Sequence, residues 1–348
     1  MSAGRAAELI GQRQFRLVER HIAKPGPGEV QVRVQAVGIC GSDMHAYAEG
    51  GVGDTPCVYP MVLGHEPAGV VVEAGPGVSG WQAGDAAAFE PAIYCYHCEY
   101  CLSGRHNVCA RLRFLSSPGD PGFFREHVNL PASNLLALPK NLGVNEGSLI
   151  EPLAVALHST RIGKPVLGET AVVFGAGPIG LLTIAALKLS GAGRVWSVEP
   201  VEARRELARI LGADVTIDPG AVDAVRQIVT DTGGRGVDLV FDCATKGESS
   251  RQAIQAVRRA GRVVFTGIPS ELETLIDFHT WRRKELALFQ VRRSNHESVL
   301  AREILAAYPG RFAPIITHTR PLDQIDRAFA QLERYEDGIG KVIVRVDE

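Results

Sequence analysis

The run Met61-Val62-Leu63-Gly64-His65-Glu66 ends an apolar stretch in an imidazole beside a carboxylate. Upstream, the apolar run from Val32 to Ile39 closes on a cysteine and opens Cys40-Gly41-Ser42-Asp43-Met44-His45. Cys40, His65 and Glu66 would give zinc a thiolate, an imidazole and a carboxylate. Three protein ligands with a fourth position open is the pattern of a catalytic rather than a structural zinc. A His-Glu pair at a strand end is also what an ordinary polar turn looks like, so the rest of the chain has to decide.

A second cluster is more specific. Cys95-x2-Cys98-x2-Cys101-x7-Cys109 gathers four of the seven cysteines into one short stretch. Four thiolates complete a tetrahedral zinc shell and leave no position for substrate, so this is a structural site. Arg105, Arg111 and Arg113 are placed to offset its negative charge. His97 and His106 are interleaved, but four sulfurs fill the shell, and both read as exposed bystanders.

The third motif is Gly175-Ala176-Gly177-Pro178-Ile179-Gly180, between a fully apolar strand and a helix. In a dinucleotide-binding turn the first glycine permits the tight bend. The second lets the backbone approach a pyrophosphate, and the third lets helix and strand pack closely. The pyrophosphate then rests on the helix N-terminus. Glu199 ends the next strand, where a carboxylate accepts hydrogen bonds from the adenosine ribose hydroxyls and repels a 2′-phosphate. This favours NAD over NADP. Arg204 and Arg205 stand near the same strand end, either as surface charges on a helix or, for Arg204, lying along the adenosine.

These residues need elements to hold them. At 348 residues, with 45% hydrophobic and 22% charged residues, the chain fits two globular domains. A formal net charge of −2 gives no reason to expect nucleic acid or an anionic membrane as partner. There is no apolar membrane-length run and no signal-peptide core at the start, so the expected location is cytoplasmic. The first third reads as β-rich with long loops: strands over 14–19 and 30–37, an apolar stretch over 58–73, and short strands over 123–130 and 134–138. A helix over 146–162 is expected to break near Pro152. After Lys164, strands alternate with helices up to about residue 291, which predicts a parallel, doubly wound sheet. Helices over 296–307 and 323–334 and a strand over 340–346 form a tail that rejoins the first part. The expected division is 1–155 with 292–348, carrying a zinc lobe at 90–113, and 156–291 for the nucleotide.

Together the stretches Cys40 to His45, Gly64-His65-Glu66-x-x-Gly69, Gly84-Asp85, the four-cysteine lobe, Gly175 to Gly180 and Gly340-Lys341 resemble the zinc-dependent medium-chain dehydrogenases. Met61 to Glu66, Glu90-Pro91, Phe114 to Pro118 and Ile150-Glu151-Pro152-Leu153 are similar to the polyol (sorbitol/xylitol) and threonine dehydrogenase branch. Ser197 to Pro200 and Arg204 to Leu207 look more like threonine dehydrogenases. The resemblance implies a GroES-like catalytic domain, a Rossmann nucleotide domain, two zinc ions per subunit, NAD and a homo-tetramer, with a dimer as the smaller possibility. It assigns Cys40, His65 and Glu66 to the catalytic zinc. Glu151 stands behind it as a fourth or water-exchanging ligand, or is simply a helix-terminal carboxylate. Ser42 and His45, on the loop after Cys40, would form a proton relay, with Asp43 orienting His65. Gly175, Gly177, Pro178, Ile179, Gly180, Glu199, Arg204, Gly267 and Ile268 would contact the cofactor. The implied reaction moves a hydride between a secondary alcohol (polyol, sugar or cyclitol-like) and NAD, with zinc as Lewis acid.

The substrate is where the pattern departs. Polyol dehydrogenases usually carry an Arg-Tyr pair after a Phe, whereas this chain reads Phe289-Gln290-Val291-Arg292-Arg293. Threonine dehydrogenases usually have Thr where this chain has Ser42. Arg113, Phe114, Tyr47, Arg292 and Arg293 are candidate pocket residues by position, the two last being surface residues on the other reading. L-threonine, another hydroxy acid or an amino alcohol is the alternative substrate. A non-catalytic zinc- and nucleotide-binding relative is a further alternative, against which Cys40, His65 and Ser42 all stand.

Overall fold

The structure, a computed structural model, describes residues 3–348. Its chain divides into two compact units, one ending at Glu151 and resuming over Ser298–Glu348, the other Pro152–Glu297. The first unit opens with an antiparallel hairpin of β1 (Ala3–Gly11) and β2 (Gln14–His21). Residues 1–35 read as a β meander, yet no strand is marked out before Gln14, because the buried residues of β1 include Ala6 and Ala7, which have little strand preference. Tertiary pairing holds it: Ala7 N donates to Phe124 O at 2.8 Å and Leu9 N to Met61 O at 2.7 Å.

Next comes β3 (Glu29–Gly38), with Val30, Val32, Val34 and Val37 fully buried. The segment after Cys40, expected as a loop, forms helix α1 (Gly41–Glu49). The signal was present: Cys40 is the N-cap, and Asp43, three residues on, accepts a 3.0 Å hydrogen bond from Cys40 N. Gly50 ends the helix in the left-handed conformation at φ 79°. Then follow β4 (Glu66–Ala74), β5 (Ala86–Phe89), β6 (His127–Pro131) and β7 (Leu135–Ala137). A seven-stranded sheet forms around β3, which pairs antiparallel with both β4 and β6. The helical segment expected over 146–162 is interrupted at Ser148 and Leu149, as expected near Pro152, between a short helical turn (Val144–Gly147) and helix α2 (Ile150–Gly163). The proline sits in its first turn, where a missing N–H costs nothing.

The second unit is a six-stranded parallel sheet. Its strands are β8 (Ala171–Phe174), β9 (Val195–Val198), β10 (Val215–Ile217), β11 (Val237–Asp242), β12 (Val257–Phe265) and β13 (Ala287–Gln290). The order across the sheet is β10-β9-β8-β11-β12-β13, all parallel. That order reverses at β8, and such sheets bind nucleotides at the carboxyl ends of the strands beside the reversal. Helix α3 (Pro178–Leu189) follows β8 and α4 (Glu202–Leu211) follows β9. Every residue of β8, β9 and β11 is buried, as in a sheet covered on both faces.

The chain then returns to the first unit. Strand β14 (Ile316–Pro321), which sequence patterning missed, runs parallel to β15 (Lys341–Arg345), and β15 pairs antiparallel with β3. The tail thus joins the sheet that delivers Cys40. No helix among the described residues is long and apolar enough to cross a membrane.

Candidate catalytic metal centre and cofactor turn

Three elements bring Cys40, His65 and Glu66 together. Cys40 caps α1 at the end of β3, and Glu66 opens β4 directly opposite Gly38. His65 is set by Gly64, whose φ of +91° suits glycine. A Cβ there would also press on Val37 and Phe124 at 2.9–3.1 Å. One ligand atom from each of Cys40, His65 and Glu66 lies within 4.8 Å of the others. His65 and Glu66 are buried, and Glu66 Oε1 has no hydrogen-bond partner among the described residues. A buried, unpartnered carboxylate oxygen beside a thiol and an imidazole is costly for a protein alone and suits a cation.

The surroundings orient the donors. Asp43 Oδ1 lies 3.3 Å from His65 Nδ1, without the angle of a good hydrogen bond. Asp43 also accepts from Gly64 N at 3.2 Å and Ser116 Oγ at 3.3 Å. Ser116 was not visible as a site residue in the sequence. Burial would raise the Asp43 carboxyl, but His65 and the backbone N–H groups outweigh it and hold it below its usual value. Burial would lower His65, but the charges of Asp43 and Cys40 hold it well above. With Nδ1 facing Asp43, Nε2 is left toward the ligand cluster, where Ser42 Oγ sits 3.4 Å away. His45 lies one turn on along α1, with Nδ1 3.0 Å from Glu49. Glu151 falls outside the three-donor cluster. Burial pushes its carboxyl up to about 8, and Glu66 and Glu90 add to this against the pull of His65 and Lys341.

Of the pocket candidates, Phe114 does reach the site, its ring 5.3 Å from that of His65. Tyr47 does not: it is 4% exposed and packs on Phe15 and Phe329 in the core. Arg113 is tied to Asp120 at 2.5 Å. Arg292 is exposed and Arg293 half-buried, both in the second unit.

In the cysteine lobe, Sγ of Cys95 lies 3.4 Å from that of Cys109 and 3.9 Å from that of Cys101, and Cys98 lies 3.9 Å from Cys109. Four sulfurs at Zn–S distances of about 2.3 Å in a tetrahedron stand about 3.8 Å apart, so the lobe has the dimensions of a closed zinc shell. These separations exclude disulfides. Backbone N–H groups of Cys95 and Arg111 point at Cys109 Sγ at 3.5 and 3.4 Å. His97 bonds Arg111 and Cys95 O, and His106 packs on Tyr94 and Tyr96, so neither joins the sulfurs.

The glycine turn divides its work as the spacing predicts. Gly175 has φ +84°, and a Cβ there would crowd Ala244 at 3.0 Å. A Cβ at Gly180 would collide with Gly175 O, while one at Gly177 would meet nothing within 4 Å. The middle glycine therefore leaves open space where a pyrophosphate approaches. Gly267 fits closely too, a Cβ there meeting Thr245 Oγ1 at 2.6 Å, and Ile268 is exposed beside it. Glu199 is 4% exposed. It accepts from Ala176 N at 2.7 Å and Val201 N at 3.0 Å, which fixes its carboxylate against the turn. Each oxygen keeps a lone pair for a ribose hydroxyl. Neither arginine is a surface charge: Arg204 is 8% and Arg205 7% exposed. Arg205 donates to Glu199 O and Pro200 O, both at 2.7 Å.

Residues 26–140 match the alcohol dehydrogenase GroES-like domain, and residues 178–306 match the zinc-binding dehydrogenase family. The chain belongs to the zinc-dependent medium-chain dehydrogenases. It is 31% identical to sorbitol dehydrogenase of Bacillus subtilis (strain 168), covering 98% of this chain and 96% of that one. It is 36% identical to L-threonine 3-dehydrogenase of Pyrococcus furiosus, covering 92% and 93%. A putative zinc-binding dehydrogenase from Sinorhizobium meliloti 1021, solved bound to NADP, superposes with a TM-score of 0.91 at 30% identity, covering 99% and 100%. This dehydrogenase therefore combines a GroES-like domain with a Rossmann domain and is a zinc-dependent alcohol or polyol dehydrogenase using a nicotinamide cofactor.

Proposed function

We propose that the chain oxidises a secondary alcohol of the polyol, sugar or cyclitol type, with NAD as hydride acceptor. The observation that carries this is the buried trio of Cys40, His65 and Glu66 with an unpartnered Glu66 oxygen. Those three would hold the catalytic zinc, and Cys95, Cys98, Cys101 and Cys109 the structural one. When bound, zinc supplies a Lewis acid for the alcohol oxygen, and NAD supplies the hydride acceptor. Asp43 holds the His65 ring. Ser42 would take the proton leaving the alcohol while releasing its own toward His45, which Glu49 positions and which would pass a proton outward. Glu151 stands behind the three donors as a fourth or water-exchanging ligand; burial raises its carboxyl in the metal-free fold, and a bound cation would favour its charged form. Glu199 receives the adenosine ribose, and its charge favours NAD over NADP. Arg204 lies beside that ribose position, and Pro178, Ile179, Gly267 and Ile268 line the cofactor.

A second reading, L-threonine or a related amino alcohol, is favoured by the higher identity to a threonine dehydrogenase. A panel of polyols, inositols, sugars and β-hydroxy amino acids, with NAD and with NADP, separates the two. NADH formation with a polyol or sugar supports the first reading, activity confined to β-hydroxy amino acids the second, and activity only with NADP overturns the role of Glu199. We assign the chain to the cytoplasm, where the four thiols stay reduced. A homo-tetramer is the assembly we expect, which light scattering tests.

A further inference from the structure

The family reading gives no role to Lys341, yet it is among the most buried cations of the chain. Its side chain is 1% exposed and pairs with Glu66 Oε2, itself 0% exposed. The ammonium also donates to Ile39 O at 2.8 Å, the carbonyl immediately before Cys40. Space for the pair is made by Gly38, where a Cβ would collide with Glu66 Oε2 and with Lys341 Cε. Gly38 faces Glu66 on β4 and Ile343 on β15, so the lysine crosses the middle strand to reach the carboxylate. Three elements distant in sequence thus converge behind two of the three metal donors.

We propose that Lys341 is a positioning residue of the catalytic metal site. It anchors one oxygen of Glu66 and leaves Oε1, which has no hydrogen-bond partner among the described residues, for the metal. Through Ile39 O it also fixes the backbone that presents Cys40. A divalent zinc with one thiolate, one carboxylate and one neutral imidazole carries no net charge. Lys341 adds one positive charge behind the donors, where the reaction develops negative charge on the substrate oxygen. Partners of this kind, one shell outside a metal, set ligand orientation and tune the metal.

The inference rests on the proposed zinc site, so metal analysis of the wild-type enzyme comes first. One zinc per chain instead of two would refute that reading before Lys341 is tested. Given two, the test compares Lys341→Met, Lys341→Arg and the double variant Glu66→Gln/Lys341→Met. Readouts are zinc retention against a graded chelator, the visible spectrum of enzyme with cobalt at the catalytic site, and the pH profile of kcat. Lys341→Met should lose zinc at the catalytic site about 10-fold or more readily while the cysteine-lobe zinc stays. It should alter the cobalt spectrum and move the kcat profile to higher pH, and Lys341→Arg should restore much of both. If Lys341→Met merely lowers Tm, the double variant regains that Tm, and the wild-type spectrum and pH profile persist, then Lys341 only neutralises a buried carboxylate and the proposal fails. Should Lys341→Met not fold, Lys341→Arg decides by the same readouts. A longer, delocalised cation that leaves zinc retention, spectrum and profile all untouched would contradict a role set by position.

Discussion

The two metal clusters of this dehydrogenase lie in one unit and are built on opposite plans. The cysteine lobe draws all four donors from residues 95–109, and backbone N–H groups point at its sulfurs. The Cys40, His65 and Glu66 cluster draws donors from the ends of two strands and depends on Asp43, Ser116 and Lys341 to aim them. A closed local site needs only its own loop to be correct. An open site must hold three donors in place while leaving a fourth position for substrate, so the surrounding protein does the holding.

The largest test of this contrast exchanges one ligand in each cluster. Cys40→Ser should cut kcat by at least about 1,000-fold, about 4 kcal/mol, while NAD binding and Tm change little. Cys101→Ser should instead lower Tm by roughly 5–10 °C, with the surviving folded fraction still turning over. Equal loss of turnover per folded molecule in both variants would break the comparison. An intermediate effect is expected in the other unit: Glu199→Ala should weaken NAD binding by about 10–100-fold, as for a lost charged hydrogen bond, and weaken NADP less. Fluorescence titration of both cofactors reads this directly.

The smallest effect is the pH dependence of metal loading. In the metal-free fold His65 is held well above 6.5 by Asp43 and Cys40 against the opposing effect of burial. Its charged pair with Asp43 therefore stabilises that fold fully below 6.5 and fades as pH rises through the raised value. Zinc works the other way, because it takes the neutral imidazole. Catalytic zinc should weaken as pH falls and release protons on uptake near pH 7, which calorimetry in buffers of different ionisation enthalpy measures.

How much of this was readable in the sequence depends on whether the cause was local. The cysteine spacing, the glycine turn and Glu199 are each written in one short stretch and one strand–helix step, and the parallel strands carry continuous apolar runs. The parts not legible depend on contacts between distant segments. Strand β1 exists because Phe124 and Met61 pair with it. Tyr47 belongs to the core because α5 (Ile325–Glu333) brings Phe329 against it. The pairing of Lys341 with Glu66 spans most of the chain, and nothing in the local pattern at Gly340-Lys341 announces a buried cation. Helix α1 is a different case: its capping residues Cys40, Asp43 and Gly50 are all local, but cysteine is not among the residues that ordinarily mark an N-cap, and Cys40 carries the metal-donor pattern as well.

The central claim is that the open cluster does the chemistry and the closed one supports the fold. Dialysis of the enzyme against a mild chelator, with zinc content, turnover and circular dichroism followed on the same samples, tests it most directly. The account predicts that the first zinc removed takes turnover with it in proportion, while the spectrum is unchanged and the second zinc stays. Turnover that persists after the first zinc is gone, or falls only when the spectrum collapses, would contradict it.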